Sequence, residues 1–168
     1  MIFRLATKQD LFQIKNMYLN IVDKMAENNI YIWDSVYPCE FFENDIDNHA
    51  LYIMLKGSEI LAAFSLYSFH LGENSVQWNN NSKKVFYLDR LGVNISYSRT
   101  GIGSLMLLKA QETARNMGAE YLRLFVVNNN TPAISLYSKN GFIRAKGIYH
   151  EVIDSQCSFR EYGYEIKL

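Results

Sequence analysis

The sequence predicts a mixed α/β fold, in which helices pack on the faces of one β-sheet with both parallel and antiparallel strands. Three observations support this prediction. Residues 85–127 alternate strand, helix and strand, which favours a parallel pair joined by a right-handed connection. The apolar runs within 51–69 and within 142–167 each predict an antiparallel pair. The length of 168 residues fits a single domain over 1–168.

The N-terminal elements follow from residue spacing. Residues 2–6 predict a short strand, and Thr7, three residues before Asp10, resembles a capping box that starts a helix. Apolar residues then recur at spacings of three and four, which predicts an amphipathic helix over about 8–27. A second short helix is predicted over about 40–48.

The middle of the chain predicts a hairpin, a loop and a central strand. Apolar residues in 51–55 and 60–69 flank a turn at Gly57-Ser58. Residues 71–84 are polar and rich in asparagine, so we expect a loop, with Trp78 as its anchor. Residues 85–93 form a nearly continuous apolar run, which is typical of a buried central strand.

The next two elements are a helix and a buried strand. An apolar stripe at helical spacing runs from residue 102 to residue 117, and Gly118 supplies a stop signal just beyond it. Residues 121–127 are almost entirely apolar and predict a strand. This strand is expected to lie parallel to the strand over 85–93.

The C-terminal elements are a helix and two strands. Thr131 is the expected N-cap of the helix, with Pro132 at its first position, and Asn140-Gly141 is the expected end. Strands over about 142–150 and 159–167 then predict an antiparallel pair. No internal repeat or linker interrupts the chain.

Composition excludes several classes of protein. Seventeen Lys and Arg balance seventeen Asp and Glu, so non-specific binding to nucleic acid is not expected. Cys39 and Cys157 lie far apart and no CxxC is present, so we expect no structural metal. No signal peptide and no stretch long enough to span a membrane is recognisable. We therefore expect a cytoplasmic protein with reduced cysteines.

A glycine-containing junction, Ser98-Arg99-Thr100-Gly101-Ile102-Gly103-Ser104, follows the central strand and opens a helix. The first N–H groups of a helix lack intrahelical partners and carry the positive end of its dipole, so this place suits a phosphate. Met106 stands where a Rossmann motif has its third glycine, and no Gly-Lys-Ser/Thr is present for a P-loop. The plainer alternative is a turn that simply favours glycine.

Four short motifs in fixed order give a more specific indication. They are Leu91-Gly92-Val93, Gly101-Ile102-Gly103, Asn130-Thr131-Pro132-Ala133, and Leu136-Tyr137 followed by Gly141-Phe142. With these motifs the chain resembles the GCN5-related N-acetyltransferase (GNAT) superfamily over nearly its whole length. One position departs from the family pattern, because Ser98 stands three residues before Gly101, where members usually have Arg or Gln.

The resemblance implies transfer of an acetyl group from acetyl-CoA to a primary amine by direct attack on the thioester. It also implies a GNAT-like central sheet of about six or seven strands, splayed between the fourth and fifth, with about four helices. In such proteins pantetheine pairs with the backbone of the fourth strand, and the diphosphate rests on the glycine loop. The implied acetyl-CoA-binding residues are Leu91, Gly92, Val93, Arg99, Thr100, Gly101, Ile102, Gly103, Ser104, Asn130, Ala133 and Tyr137.

The resemblance also assigns catalytic and acceptor residues. Tyr137 matches the family's general acid, which protonates the departing thiolate, and a packed aromatic is the alternative interpretation. Asp89 lies on the central strand, where some members place a carboxylate, but a structural ion pair is the alternative. By the same analogy Trp33 and Tyr37 lie near the acceptor entrance, or else pack the two N-terminal helices together.

Several questions stay open at the level of sequence. The acceptor is a small-molecule or peptide amine: a metabolite, a polyamine, an antibiotic, a protein N-terminus or a lysine. A GNAT-like sensor that binds acyl-CoA without catalysis is the alternative function, and a nucleotide-binding α/β protein is a third. The resemblance allows a homodimer through the C-terminal strands. No nucleic acid, membrane or metal partner is expected.

Overall fold

The computed structural model describes residues 1–153 and 157–168. The chain divides into two compact units: the first comprises Met1–Leu66 and Arg90–Met106, and the second comprises Tyr67–Asp89 and Leu107–Leu168. Within the described ranges, no helix is both long and apolar enough to cross a membrane.

Helices and strands alternate along the described ranges much as the sequence predicts. The strands are β1 (Ile2–Leu5), β2 (Leu51–Lys56), β3 (Glu59–Tyr67), β4 (Val76–Gln77), β5 (Val85–Val93), β6 (Tyr121–Val127), β7 (Ile143–Arg144), β8 (Lys146–Gly147), β9 (Tyr149–Val152) and β10 (Ser158–Lys167). The helices are α1 (Leu11–Glu27), α2 (Phe42–Asp47), α3 (Ile102–Asn116) and α4 (Thr131–Lys139), with 3-10 turns at Lys8–Asp10, Leu71–Asn74 and Ile95–Tyr97.

The strands pair into a mixed sheet, as predicted. In the first unit the order is β1-β2-β3-β5, and in the second it is β5-β6-β10, with β10 also pairing β7 and β9. The pair of β5 with β6 is parallel, whereas β1 with β2, β2 with β3, and β10 with β6 are antiparallel. The mixed α/β class, the crossover between β5 and β6 and the four helices are therefore confirmed.

The parallel pair has limited extent. It runs from Val85 opposite Tyr121 to Leu88 opposite Leu124, and β5 itself continues to Val93. Asp89 is thus the first residue of β5 beyond the segment that pairs with β6. The fourth and fifth strands of the prediction are β5 and β6 of the structure. The splay predicted between them agrees with this short parallel pairing.

The first unit is built on α1, which begins after a capping box. The backbone N–H and the hydroxyl of Thr7 both donate to the carboxylate of Asp10, at 2.7 and 2.8 Å. The predicted box is present, although it closes a 3-10 turn that leads into the helix. α1 contributes to an apolar core whose buried members include Ile14, Tyr18, Phe42, Leu51 and Ile53.

Two predicted elements of the second unit differ in the structure. The predicted loop over 71–84 contains a 3-10 turn and β4, which pairs with β8. The predicted strand over 142–150 is broken into β7, β8 and β9. Gly147 has φ +97, a left-handed conformation that interrupts a strand. An apolar pattern does not reveal such a break, because glycine carries no side chain.

The start of α4 also differs from the prediction. Asn130 is the N-cap, because its side-chain oxygen accepts a hydrogen bond from the N–H of Ala133 at 3.3 Å. Thr131 is therefore the first helical residue rather than the cap, and Pro132 follows it. The predicted stop at Gly141 is confirmed by its φ of +84.

Candidate functional site

The glycine-containing junction lies in the first unit and forms the start of α3. Arg99 and Gly101 have φ +62 and φ +90, so the backbone turns sharply before the helix. The Thr100 hydroxyl donates to the carbonyl of Tyr97 at 2.6 Å, and the N–H of Leu105 donates to the carbonyl of Gly101 at 3.0 Å. The N–H groups of Ile102 and Gly103 precede this bond, at the helix start where backbone donors exceed intrahelical acceptors.

The outer side of this loop is open to a ligand. A Cβ built on Gly101 would meet no atom within 4 Å, and the side chain of Arg99 is exposed. An exposed cation beside first-turn N–H groups suits a diphosphate. The loop composed of residues 98–104 therefore fits the diphosphate of a coenzyme A thioester by its donors and its access.

The end of β5 that carries Leu91, Gly92 and Val93 is also in the first unit. Gly92 packs directly under Tyr18 of α1, and an added Cβ would lie 2.6 Å from the Tyr18 ring. The glycine in this motif is thus required by a close approach to an aromatic ring. Among the residues proposed to bind acetyl-CoA, Gly92 therefore also has a structural reason to be glycine.

Asn130, Ala133 and Tyr137 belong to α4 and its cap, in the second unit. The capping bond of Asn130 corresponds to the plainer interpretation of that residue, a local turn. Tyr137 is buried, 8% exposed, and its ring lies 5.9 Å from that of Phe142 and 6.3 Å from that of Tyr164. Burial, and then the nearby charge of Asp89, raise the pKa of Tyr137 well above its ordinary value.

Three carboxyl groups of the second unit act on one another. Glu151 on β9 and Glu161 on β10 lie diagonally across an antiparallel pair in which Glu161 faces Tyr149. Their carboxyl groups are within hydrogen-bonding reach, and Asp89 of β5 is close enough to influence both. We call Asp89, Glu151 and Glu161 the carboxyl cluster.

The carboxyl cluster holds a proton at neutral pH. Glu161 is 8% exposed, and burial, followed by the charges of Glu151 and Asp89, raises its pKa to about 8. Burial and the charge of Asp89 also raise the pKa of Glu151. Two close carboxyl groups cannot both ionise easily, so they share one proton. Within 1–153 and 157–168, no group of three His, Cys, Asp or Glu residues is placed to hold a metal ion.

An aromatic wall adjoins the carboxyl cluster on the same face of the second unit. Phe125 is at its centre, with ring centroids at 4.4 Å from His70, 5.4 Å from Trp78 and 5.4 Å from Tyr149. The hydroxyl of Tyr87 is buried in this wall and has no hydrogen-bond partner among the described residues.

Trp78 anchors the segment over 71–84, as the sequence predicted. Its indole N–H donates to the carbonyl of Glu73 at 2.9 Å, and the guanidinium of Arg123 lies 4.4 Å from its ring centre. Arg123 also forms a buried ion pair with Glu165 at 3.1 Å. A Cβ on Gly163 would meet the Trp78 ring at 2.9 Å, so glycine leaves room for the indole.

Trp33 and Tyr37 belong to the first unit and make packing contacts there. The Trp33 ring lies 5.4 Å from that of Tyr18, and Tyr37 meets Phe41 edge to face at 5.7 Å. These contacts correspond to the packing alternative considered from the sequence. Their role as acceptor-binding residues stays a prediction.

Glu151 and Glu161 are the residues that sequence reasoning did not single out. A signal was present, because one face of β10 is largely buried and carries two acidic residues at alternate positions: Phe159, Glu161, Gly163 and Glu165. An acidic residue on an inward face points to a special environment. The register that brings Glu151 next to Glu161 is visible only in the structure.

A model of the acetyltransferase (GNAT) family matches residues 15–142, which is most of the chain. The chain belongs to this family. It is therefore an acyltransferase, and the resemblance drawn from the four motifs is confirmed. An N-alpha-acetyltransferase from Sulfurisphaera tokodaii is 26% identical over 161 residues, 94% of this chain and 95% of that protein.

Solved structures show the same fold at lower sequence identity. A GNAT-family acetyltransferase from Streptococcus agalactiae has a TM-score of 0.83 at 14% identity, with 99% of this chain and 95% of that chain covered. The PaiA N-acetyltransferase from Thermoplasma acidophilum, solved in complex with coenzyme A, has a TM-score of 0.69 at 21% identity, with coverage of 99% and 98%.

Proposed function

We propose that this acetyltransferase transfers an acetyl group from acetyl-CoA to a primary amine that approaches as a cation. The amine nitrogen bonds to the acetyl carbon, the carbon–sulfur bond breaks, and coenzyme A leaves with a proton. The residues of the chain bind the carrier, accept the proton of the ammonium group and supply the proton of the thiol. Family membership supports the acetyl transfer, and the second unit supports the proton steps.

The carrier is held by residues of the first unit. The first-turn N–H groups of α3 and the cation of Arg99 receive the diphosphate, for which the open side of Gly101 leaves access. The backbone of Leu91 and Val93 pairs with the pantetheine arm in the manner of an added strand. Asn130 and Ala133, at the N-terminus of α4, stay predicted contacts of the carrier on the family resemblance alone.

Tyr137 is the proton donor in this proposal. Its pKa is raised, so its hydroxyl keeps its proton throughout the neutral range. A neutral phenol next to a developing thiolate can donate that proton as the carbon–sulfur bond breaks. The ring contacts with Phe142 and Tyr164 restrict where the hydroxyl can lie.

The carboxyl cluster is the proton acceptor, through the fraction of Glu161 that is ionised as the pH approaches its pKa of about 8. An α-amino group has an ordinary pKa of about 8, close to the value of about 8 for Glu161. Proton transfer between groups with similar pKa values needs little free energy. Asp89, the candidate base from the sequence, then acts together with Glu151 and Glu161 rather than alone.

The same cluster favours one class of acceptor. Glu151 and Glu161 share one proton and the charge of Asp89 lies nearby, so the cluster attracts an ammonium group and repels an acceptor with a carboxylate or phosphinate near its amine. The name of the Sulfurisphaera tokodaii relative supports α-amino groups as acceptors. We therefore propose that the preferred acceptors are peptides with a free N-terminal amine. The side chain of the N-terminal residue is neutral or basic.

The single observation that carries this proposal is the diagonal placement of Glu151 and Glu161 across β9 and β10, with Asp89 and Tyr137 in the same unit. It supports Tyr137 as the proton donor and the carboxyl cluster as the group of proton acceptors. A fold that only bound acyl-CoA would need neither.

The test is release of coenzyme A from acetyl-CoA, followed with a thiol reagent, over a panel of amines. The panel pairs peptides that begin with serine or lysine with peptides that begin with aspartate, and adds a polyamine and phosphinothricin. We expect turnover with neutral or basic peptides at least tenfold faster than with the acidic ones. Equal turnover of acidic and basic acceptors would contradict the proposed acceptor class. Tight binding of acetyl-CoA without turnover on any amine would instead support the sensor.

A further inference from the structure

A buried ion pair of the first unit holds β5 where its backbone leaves the extended conformation. Arg90 has φ +52, which is unfavourable for a residue with a side chain. Its guanidinium donates to both carboxylate oxygens of Asp45, over 2.9 to 3.1 Å. Asp45 is fully buried and the Arg90 side chain is 8% exposed, so separating them would leave a buried charge uncompensated.

The surroundings of this pair fix its geometry. The hydroxyl of Ser65 donates to the Asp45 carboxylate at 2.6 Å. The guanidinium of Arg90 also lies 5.2 Å from the centre of the Phe41 ring. Asp45 itself is carried by α2, whose residues Phe42 and Ile46 are buried in the core. The carboxylate is therefore a fixed point to which β5 is attached.

Residues 91–93 lie between two backbone anchors. On one side, the hydroxyl of Tyr18 donates to the carbonyl of Arg90. On the other, the N–H of Asn94 donates to the carbonyl of Leu61 at 2.8 Å. A left-handed residue inside a strand turns the peptide groups that follow it. The conformation of Arg90 thus sets the direction of the N–H and C=O groups of residues 91–93.

We propose that Asp45 and Arg90 are positioning residues for coenzyme A, which act by holding β5 in its left-handed break. This inference rests on the proposed function, in which the peptide groups of Leu91 and Val93 pair with the pantetheine arm. The pair acts through the backbone, so its loss changes the affinity for the carrier and the KM for acetyl-CoA. The chemical step depends on other residues, and kcat changes little.

The experiment compares a glycine with an alanine at the strained position. Asp45→Asn is combined with Arg90→Gly in one double variant and with Arg90→Ala in another, so that both remove the same two charges. Glycine adopts a positive φ freely, whereas alanine does not. Asp10→Asn, which breaks the ion pair of Asp10 with Arg4 in the same unit, is the matched control. Titration calorimetry with coenzyme A, steady-state kinetics and thermal unfolding are measured for each.

We expect Asp45→Asn to raise the Kd for coenzyme A and the KM for acetyl-CoA at least tenfold, with kcat changed less than threefold. The glycine double variant should bind coenzyme A at least threefold more tightly than the alanine one, while Asp10→Asn binds like the wild type. Equal affinities of the two double variants would overturn the proposal. The wild type is measured before any variant. If it does not bind coenzyme A, the proposed function itself is overturned.

Discussion

The carboxyl group of Glu161 on β10 lies within hydrogen-bonding reach of that of Glu151 on the neighbouring strand β9. Because both groups are partly withdrawn from water and Asp89 adds a third negative charge, the pair retains a proton where isolated glutamates have lost theirs. In the proposed reaction, which removes a proton from an ammonium group, this pair is the proposed proton acceptor.

Replacing Glu161 with glutamine should make stability less dependent on pH. The pKa of Glu161 is about 8 in the folded chain and 4.5 in its ordinary state, so the folded chain binds more protons between these values. The stabilisation that Glu161 gives the folded chain is fully present below about pH 4.5 and is lost as the pH rises to 8. The melting temperature of Glu161→Gln relative to the wild type should therefore increase from pH 5 to pH 8 and then level off.

The control for that measurement is Glu112→Gln, on the partly exposed surface of α3. Its melting temperature should follow the wild type at every pH. A constant offset between Glu161→Gln and the wild type over pH 5–9 would show that Glu161 ionises normally. In the acetyl-transfer assay, Glu161→Gln should lower kcat/KM by about 10²-fold at pH 8 and above, where Glu161 is ionised; this is the usual size of a lost acid–base group.

Tyr137→Phe should abolish most of the turnover without affecting the fold. The phenyl ring keeps the contacts with Phe142 and Tyr164, while the donor hydroxyl is lost. We expect kcat to fall by about 10²-fold or more, with the Kd for coenzyme A and the melting temperature nearly unchanged. Tyr164→Phe removes a hydroxyl from the neighbouring ring. Because Tyr164 has no proposed acid–base role, kcat should stay within about threefold of the wild type. Similar losses in both variants would argue against a special role for Tyr137.

Arg99→Gly should move stability and affinity in opposite directions. Arg99 has φ +62, and glycine in its place relieves an unfavourable conformation worth about 1 kcal/mol. The loss of the cation should weaken coenzyme A binding by roughly 3- to 10-fold at low salt, in line with the loss of one charge-assisted contact. Arg99→Ala loses the charge but keeps the strain, so it should share only the weaker binding. Denaturant unfolding and calorimetry measure the two effects separately.

Tyr87→Phe should stabilise the second unit. The Tyr87 hydroxyl is buried near the Arg123 guanidinium but forms no hydrogen bond of good geometry among the described residues, and removing such a group typically gains about 1 kcal/mol. Tyr18→Phe is the opposite case, because the Tyr18 hydroxyl contacts the carbonyls of Ala63 and Arg90. We expect the first variant to unfold at higher denaturant and the second at lower. A destabilised Tyr87→Phe would reveal a hydrogen bond formed by that hydroxyl in solution.

Several features of the fold could be predicted because they depend on short-range patterns. The spacing of apolar residues in α1 and α3 follows the helical repeat, and Gly118 and Gly141 end helices through conformations that favour glycine. The prediction was wrong over 142–150, where Gly147 breaks the strand, and at the start of α4, where Asn130 rather than Thr131 is the cap.

The sequence by itself determined the order of the elements, the glycine turn before α3 and the family motifs, because each is written in residues a few positions apart. Only the tertiary structure decided that Glu161 meets Glu151 and that Arg90 reaches Asp45, forty-five positions away. These contacts depend on strand register and on the burial of charge, and both are set by the whole chain folding together. A buried carboxyl acquires its pKa from neighbours that no stretch of sequence specifies alone.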